Sequence, residues 1–181
     1  MKLFQRMVTV VALALLVVRP LFAADPVTES LRSLKGEAFD QAFLQHMIDH
    51  HRHGIEMAKI VPHHSQNQGL TQLAEQMTDM QQEDIQQMTT LLGGSKGSGH
   101  ADMDHAQMDQ MHKTSMSKLE QAQGAQFDQS FVKEMTKHHS DGLEMAQLAA
   151  GRATRSEVRE IASKIAEEQK DDIKKLKRIN P

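Results

Sequence analysis

FDQAFLQHMIDHHRHGIEMA, residues 39–58, returns as FDQSFVKEMTKHHSDGLEMA, residues 127–146, with no gap and a constant offset of 88 positions. Phe39, Asp40, Gln41, Phe43, Met47, His50, His51, Gly54, Glu56, Met57 and Ala58 recur as Phe127, Asp128, Gln129, Phe131, Met135, His138, His139, Gly142, Glu144, Met145 and Ala146. A repeat kept for its fold alone needs apolar residues and turn formers. This one also keeps a His-His pair bracketed by methionines, and those residue types bind soft metals.

Working outward, apolar residues step by three and four in four segments, the spacing of amphipathic helices. The first segment runs from about Glu37 to Val61, where Pro62 stops it. The second runs from about Gly69 to Leu92 and ends at Gly93-Gly94. The third runs from about Ala125 to Ala150, before Gly151. The fourth starts near Thr154, whose Thr-x-x-Glu spacing to Glu157 fits a capping box, and ends before Pro181. No segment alternates as a strand does. The expected fold class is all-α: two repeated helical hairpins, residues 37–92 and 118–181, burying their apolar faces against each other as one four-helix bundle over 37–181. Residues 25–36 are expected as an N-terminal extension. Residues 93–117 are expected as a flexible linker: GGSKGSG, then a stretch too polar for a core that carries His100, Met103, His105, Met108, Met111, His112 and Met116. That Met- and His-rich stretch reads as a metal-scavenging arm.

Residues 1–24 read as a cleaved signal peptide: Lys2 and Arg6, an apolar run from Met7 to Val18, then Leu21-Phe22-Ala23-Ala24. The run is short for a bilayer span. The expected location is the bacterial periplasm or the medium, with no membrane attachment after cleavage. Losing Lys2, Arg6 and Arg19 leaves 18 basic against 24 acidic side chains, a net charge of −6. That balance, with no Trp and no Tyr, argues against a nucleic-acid partner. Cysteine is absent, so there is no disulfide and no thiolate ligand. A thioether needs no deprotonation to bind metal and forms no disulfide, which suits an oxidising compartment.

On a helical wheel His46, His50, His53 and Met57 share a side with Phe39 and Phe43, while Met47 and His51 fall on the adjoining flank. Met47 and His51 are four apart, close enough to reach one ion, and Met135 and His139 repeat that spacing. Methionine and histidine could also simply fill a helical core. Yet a neutral imidazole in an apolar seam needs partners for its nitrogens, and two adjacent ones per hairpin double that requirement. Asp84 and Asp172 also sit on apolar stripes, where a carboxylate is costly unless paired. A histidine on the facing helix is the natural partner, turning its other nitrogen toward metal. The copies differ at His46 and His53, replaced by Glu134 and Asp141. Thioether with imidazole favours Cu(I), and by the same softness Ag(I); Cu(II) or Zn(II) could use the histidine-rich stretches. Di-iron bundles use Glu-x-x-His pairs, and no Glu stands three residues before a His here.

The pattern Phe43-Leu44-x-x-Met47-x-x-His50-His51-x-x-Gly54-x-Glu56-Met57-Ala58, followed by Gln81-x-x-Asp84-Ile85-x-x-Met88, resembles the ferritin-like family called domain of unknown function 305, whose best-described members are CopM-like exported copper-binding proteins. The resemblance covers residues 39–92 and 127–179. It implies a ferritin-like four-helix fold, copper sites built from Met and His, and a role in copper tolerance. Carried over by position, the implied ligands are Met47, His50, His51 and Met57, with Met135, His138, His139 and Met145. Leu176 stands where the first copy has Met88. The expected function is sequestration of Cu(I), or its transfer to another periplasmic copper protein. A ferritin-like metal-dependent oxidase and a metal-free structural bundle are the alternatives.

Overall fold

The computed structural model describes residues 26–93 and 102–179. The leader 1–24 and the glycine-rich stretch lie outside the described residues, as do the side chains of Met103 and His105. The elements are α1 (Pro26–Ser33), α2 (Gly36–Lys59), α3 (Val61–His64), α4 (Gln68–Leu92), α5 (Asp102–Glu120), α6 (Gly124–Arg152) and α7 (Ser156–Arg178). Among the described residues there is no strand, and no helix is long and apolar enough to cross a membrane.

Helices α2 and α4 form one antiparallel hairpin and α6 and α7 the other. Each hairpin is packed most closely within itself, and the two meet along α2–α6 and α4–α7. Local sequence sets the hairpin boundaries. Asn67 Oδ1 accepts the Leu70 N–H at 3.1 Å and caps α4. Gly93, at φ 61°, supplies the left-handed residue that ends it. Pro62 sits in the first turn of the four-residue α3, where its missing N–H is harmless.

The apolar interior is split in two. One cluster joins the N-terminal half of α2 (Phe39, Phe43, Met47) to the C-terminal half of α6 (Met145, Ala149) and the start of α7 (Val158, Ile161, Ile165). The other joins the C-terminal half of α2 (Met57, Ala58) and Val61 of α3 to the N-terminal half of α6 (Phe127, Phe131, Met135), the start of α4 (Leu70, Leu73) and Leu176. Phe39, Phe43, Phe127 and Phe131 are all fully buried, each burial stabilising the fold by about 2–3 kcal/mol. Between the clusters lies a polar waist of His50, His51, Gln81, Asp84, His139, Gln169 and Asp172, all buried, with His138 beside them.

Three expectations need correction. Most of the N-terminal extension, Pro26–Ser33, is a helix docked on the bundle, with Val27 and Leu31 fully buried. The arm is helical from Asp102 to Glu120, with Met108 and Leu119 buried. One inward residue per turn (Met108, His112, Ser115, Leu119) is enough to dock a helix on an existing bundle, though too little to build a core. Finally, the Thr154 capping box does not form: α7 begins at Ser156 after Arg155, with no side-chain cap of its own.

Asp40, fully buried on α2, does that work from a distance. Its carboxylate accepts the Thr154 N–H at 2.9 Å and the Arg155 N–H at 2.8 Å. A carboxylate bonding two backbone donors at a helix start is favourable through charge and hydrogen bonding together. The repeat equivalent, Asp128, is also buried, but its Oδ1 has no hydrogen-bond partner. Asp40→Ala is therefore expected to destabilise the protein by about 2 kcal/mol. Asp128→Asn should cost less than about 0.5 kcal/mol. Urea unfolding of the two variants checks this, and equal losses would sink the assignment.

Candidate metal centre

Helices α2 and α6 cross at Gly54 and Gly142. Each glycine costs a helix about 1 kcal/mol relative to Ala, and the crossing explains both. A Cβ on Gly142 would stand 2.7 Å from His50 Cε1 and 3.0 Å from Gln169 Nε2. A Cβ on Gly54 would stand 2.5 Å from Gln81 Oε1 and 3.0 Å from His138 Cε1. Each repeat thus opens a slot for the other repeat's histidine.

His50 and His138 fill those slots and stack, with ring centroids 3.7 Å apart and planes inclined by 27°. Their bonding is reciprocal. His50 Nε2–H donates to the His138 carbonyl at 3.0 Å, and His138 Nε2–H donates to the His50 carbonyl at 3.1 Å. A carbonyl can only accept, so each neutral ring carries its proton on Nε2 and a lone pair on Nδ1. Both Nδ1 atoms are buried without a hydrogen-bond partner. Burial, then the neighbouring imidazoles, hold both pKa values well below the usual 6.5. The rings are neutral at neutral pH, which is the ligating form.

His51 and His139 turn the other way. Their Nε2 atoms lie 3.3 Å from Asp84 Oδ2 and 3.4 Å from Asp172 Oδ2. The carboxylates that the sequence placed on apolar stripes thus meet histidines on facing helices. His139 Nδ1–H also donates to the Met135 carbonyl at 3.1 Å, so both its nitrogens are engaged, while His51 Nδ1 has no partner. The implied ligand groups are split accordingly. Successive helical residues point about 100° apart, so His50 and His51 cannot face one cavity. Met47 and Met135 are wholly buried, in opposite apolar clusters, and neither lines the cavity. His46 is buried outside the cavity lining, and Glu134, its repeat equivalent, bonds Lys118 and Ser115.

Behind His51 lies a charged cluster. Lys164 Nζ is 2.6 Å from Asp84 and 3.1 Å from Glu168. Burial raises the Asp84 pKa, but bonds from His51 and Lys164 outweigh that and leave it below the ordinary range. Glu168 is pushed up to about 7, first by burial and then by the Asp84 charge, with Lys164 opposing. Between pH 4.5 and about 7 the folded protein therefore keeps a proton that the unfolded chain has lost. Stability from this group is fully present below 4.5 and falls as pH rises through that window. Glu168→Gln is expected to raise stability at pH 8 by about 1 kcal/mol, a figure discounted for partial exposure, and to change nothing at pH 4. Thermal melts at both pH values measure it; a loss at pH 8 would show that the Lys164 ion pair dominates.

On the other side of the His50–His138 stack is a cavity of about 250 Å³. Met57 and Met145 line its inner wall, and α5 closes it with Met108, Met111 and His112. His53 stacks on His112 with centroids 4.2 Å apart and planes 5° from parallel. The pair is cross-braced: His53 Nε2 lies 3.3 Å from Asp109 on α5, and His112 Nε2 lies 2.7 Å from Glu56 on α2. His112 Nδ1 is buried without a partner, and burial, then His112, lowers the His53 pKa. Among the described residues no three His, Asp or Glu side chains form a ready cage for a metal ion. The cavity wall carries the His50 and His138 rings and methionine thioethers, and imidazole with thioether is the donor set of a soft monovalent ion.

Sequence reading missed the docking of α1 and α5. The signal was present: Leu31 and Leu119, and Gly36 and Gly124, continue the 88-residue offset upstream of the quoted repeat. Both leucines are fully buried, and both glycines have positive φ, 62° and 55°. α1 is thus the counterpart of the C-terminal part of α5.

Comparison with known proteins agrees with this unit. Residues 20–92 and 93–180 each match the family model described as domain of unknown function (DUF305). A crystal structure of a DUF305 fragment from Deinococcus radiodurans is 25% identical, with a TM-score of 0.67 over 76% of this chain and 92% of that one. CopM in its Cu(I)-bound form is 26% identical, with a TM-score of 0.61 over 77% and 93%. CopM in an Ag-bound form, obtained by co-crystallization, is 25% identical with the same TM-score and coverage. Among curated proteins none matches.

Proposed function

This chain belongs to the DUF305 family, and from that premise we propose that it is an exported copper-binding protein holding Cu(I) in the cavity between α2, α5 and α6. The observation that carries the reading is the pair of buried, unpartnered Nδ1 lone pairs on His50 and His138, in rings that line a cavity shared with the buried thioethers of Met57, Met145 and Met108. An unsatisfied buried acceptor is costly, and a soft cation relieves that cost. Ag(I) fits the same donors. Cu(II) is better matched by the imidazole and carboxylate groups around His53 and His112. The Cu(I)- and Ag-bound forms of the similar CopM support the choice of metal. His51 and His139, anchored on Asp84 and Asp172, act as braces of the waist.

In this reading copper is cargo. The protein buffers Cu(I) in an oxidising compartment or passes it to another copper protein, and it catalyses no oxidation. Export rests on the leader at residues 1–24, and the mass of the mature protein from a bacterial host tests that cleavage. The deciding experiment is anaerobic titration of the mature protein with Cu(I) against a chromogenic chelator. Stoichiometric capture without turnover of Cu(I) or Fe(II) in air is the expected result. Failure to compete for Cu(I) would overturn the reading, and catalytic oxidation above a blank would replace it with the oxidase.

A further inference from the structure

Sulfur donors at the cavity are graded by exposure. Met111 is 37% exposed, and among the described residues it is the one large apolar side chain open to solvent. Met108, one turn earlier on α5, is 4% exposed, and Met57 and Met145 on the inner wall are 1% exposed. All four line the same cavity. Met111 therefore meets both the cavity and solvent, a position the three buried methionines do not share. A donor placed there lets the ion change owners without being released bare into water.

We propose that Met111 is the exchange ligand of the cavity, the thioether through which Cu(I) enters and leaves, with Met108 as the next donor inward. The inference rests on the Cu(I) reading above and assigns it a route and a class of partner: a soluble carrier presenting sulfur ligands of its own. In the exchange step Met111 Sδ forms a bond to the carrier-bound Cu(I). One carrier ligand then leaves, and the ion passes to the inner donors as further carrier bonds break. Copper stays Cu(I) throughout, and no proton moves, because a thioether binds without deprotonation.

A residue that acts in transfer changes rates, whereas a resident ligand changes affinity. Stopped-flow absorbance can follow Cu(I) moving from its bicinchoninate complex to the mature protein, and back to excess chelator. Met111→Leu is expected to slow both directions about tenfold while leaving equilibrium affinity within about threefold. Met108→Leu is expected to weaken affinity by about tenfold or more. Unchanged rates in Met111→Leu would overturn the exchange role, as would an affinity loss expressed only as faster release, which would make Met111 a resident ligand. If the unaltered protein takes no Cu(I) from the chelator, the functional reading itself fails, and that result is distinct from either of the others.

Discussion

Replacing His50 and His138 together by Gln is expected to lower Cu(I) affinity by about 100-fold or more, because the substitution removes both Nδ1 lone pairs. Gln is the informative replacement. Its amide N–H can still reach the carbonyls of residues 138 and 50 that the rings now bond, so the α2–α6 crossing is retained. The matched control is His51→Gln with His139→Gln, which uncouples Asp84 and Asp172. That pair should cost about 1–3 kcal/mol of stability, since it removes one contact from each of two buried carboxylates that keep Lys164 and Lys175 as partners, and should change Cu(I) affinity less than tenfold. Competition titration and urea unfolding on both double variants measure the two quantities. An affinity loss in the control, with none in the His50 and His138 variant, would move the site to the far side of the waist.

The same rings set the pH response. Their pKa values lie well below the usual 6.5, so proton competition for the ligands begins at lower pH than for an exposed histidine. Cu(I) affinity is expected to be flat from pH 8 to below 6.5. The sign for stability follows from the lowered values. Below 6.5 the unfolded chain binds protons that the folded chain excludes, so these groups erode stability as pH falls.

Gly142→Ala is the second large effect. In an open helix the change gains up to about 1 kcal/mol. Here the new methyl meets His50 Cε1 at 2.7 Å, in a ring fixed by its stack and its carbonyl bond. Overpacking of this kind costs about 1–3 kcal/mol or more, and it also displaces a proposed ligand. Both stability and Cu(I) affinity should fall. Gly54→Ala is milder, because the nearest atom is the end of the Gln81 side chain, which can swing aside. Gly151→Ala provides the reference: no atom lies within 4 Å of its Cβ position, and the variant should be slightly more stable than the parent. If Gly142→Ala and Gly151→Ala behave alike in thermal melts, the slot for His50 is not a constraint.

The four long helices were legible because each carries a continuous apolar stripe bounded by Gly or Pro. α1 and α5 were not, because α1 is short and α5 is too polar to build a core of its own. A few inward residues in each, Val27 and Leu31 in α1 and Met108 and Leu119 in α5, suffice when the rest of the bundle supplies the other wall. The metal-type residues were legible as types and as a repeat. Their grouping was not, because the spacing along one helix does not show which side chains meet across helices. The crossing at Gly54 and Gly142 pairs His50 with His138 across the repeats, a contact between residues 88 positions apart. Thr154 shows the same limit: the local motif was present, but Asp40, 114 residues away, already held the backbone donors.

The divided interior has a consequence for the autonomy of each copy. Every apolar cluster takes one half of α2 and the opposite half of α6, so neither repeat owns a complete core. Cut apart, a lone hairpin would present two greasy half-surfaces separated by a strip of unsatisfied histidine, and its most economical remedy would be to embrace an identical twin. The single polypeptide is, in this sense, a tethered dimer, and the tether is what allows its two members to diverge.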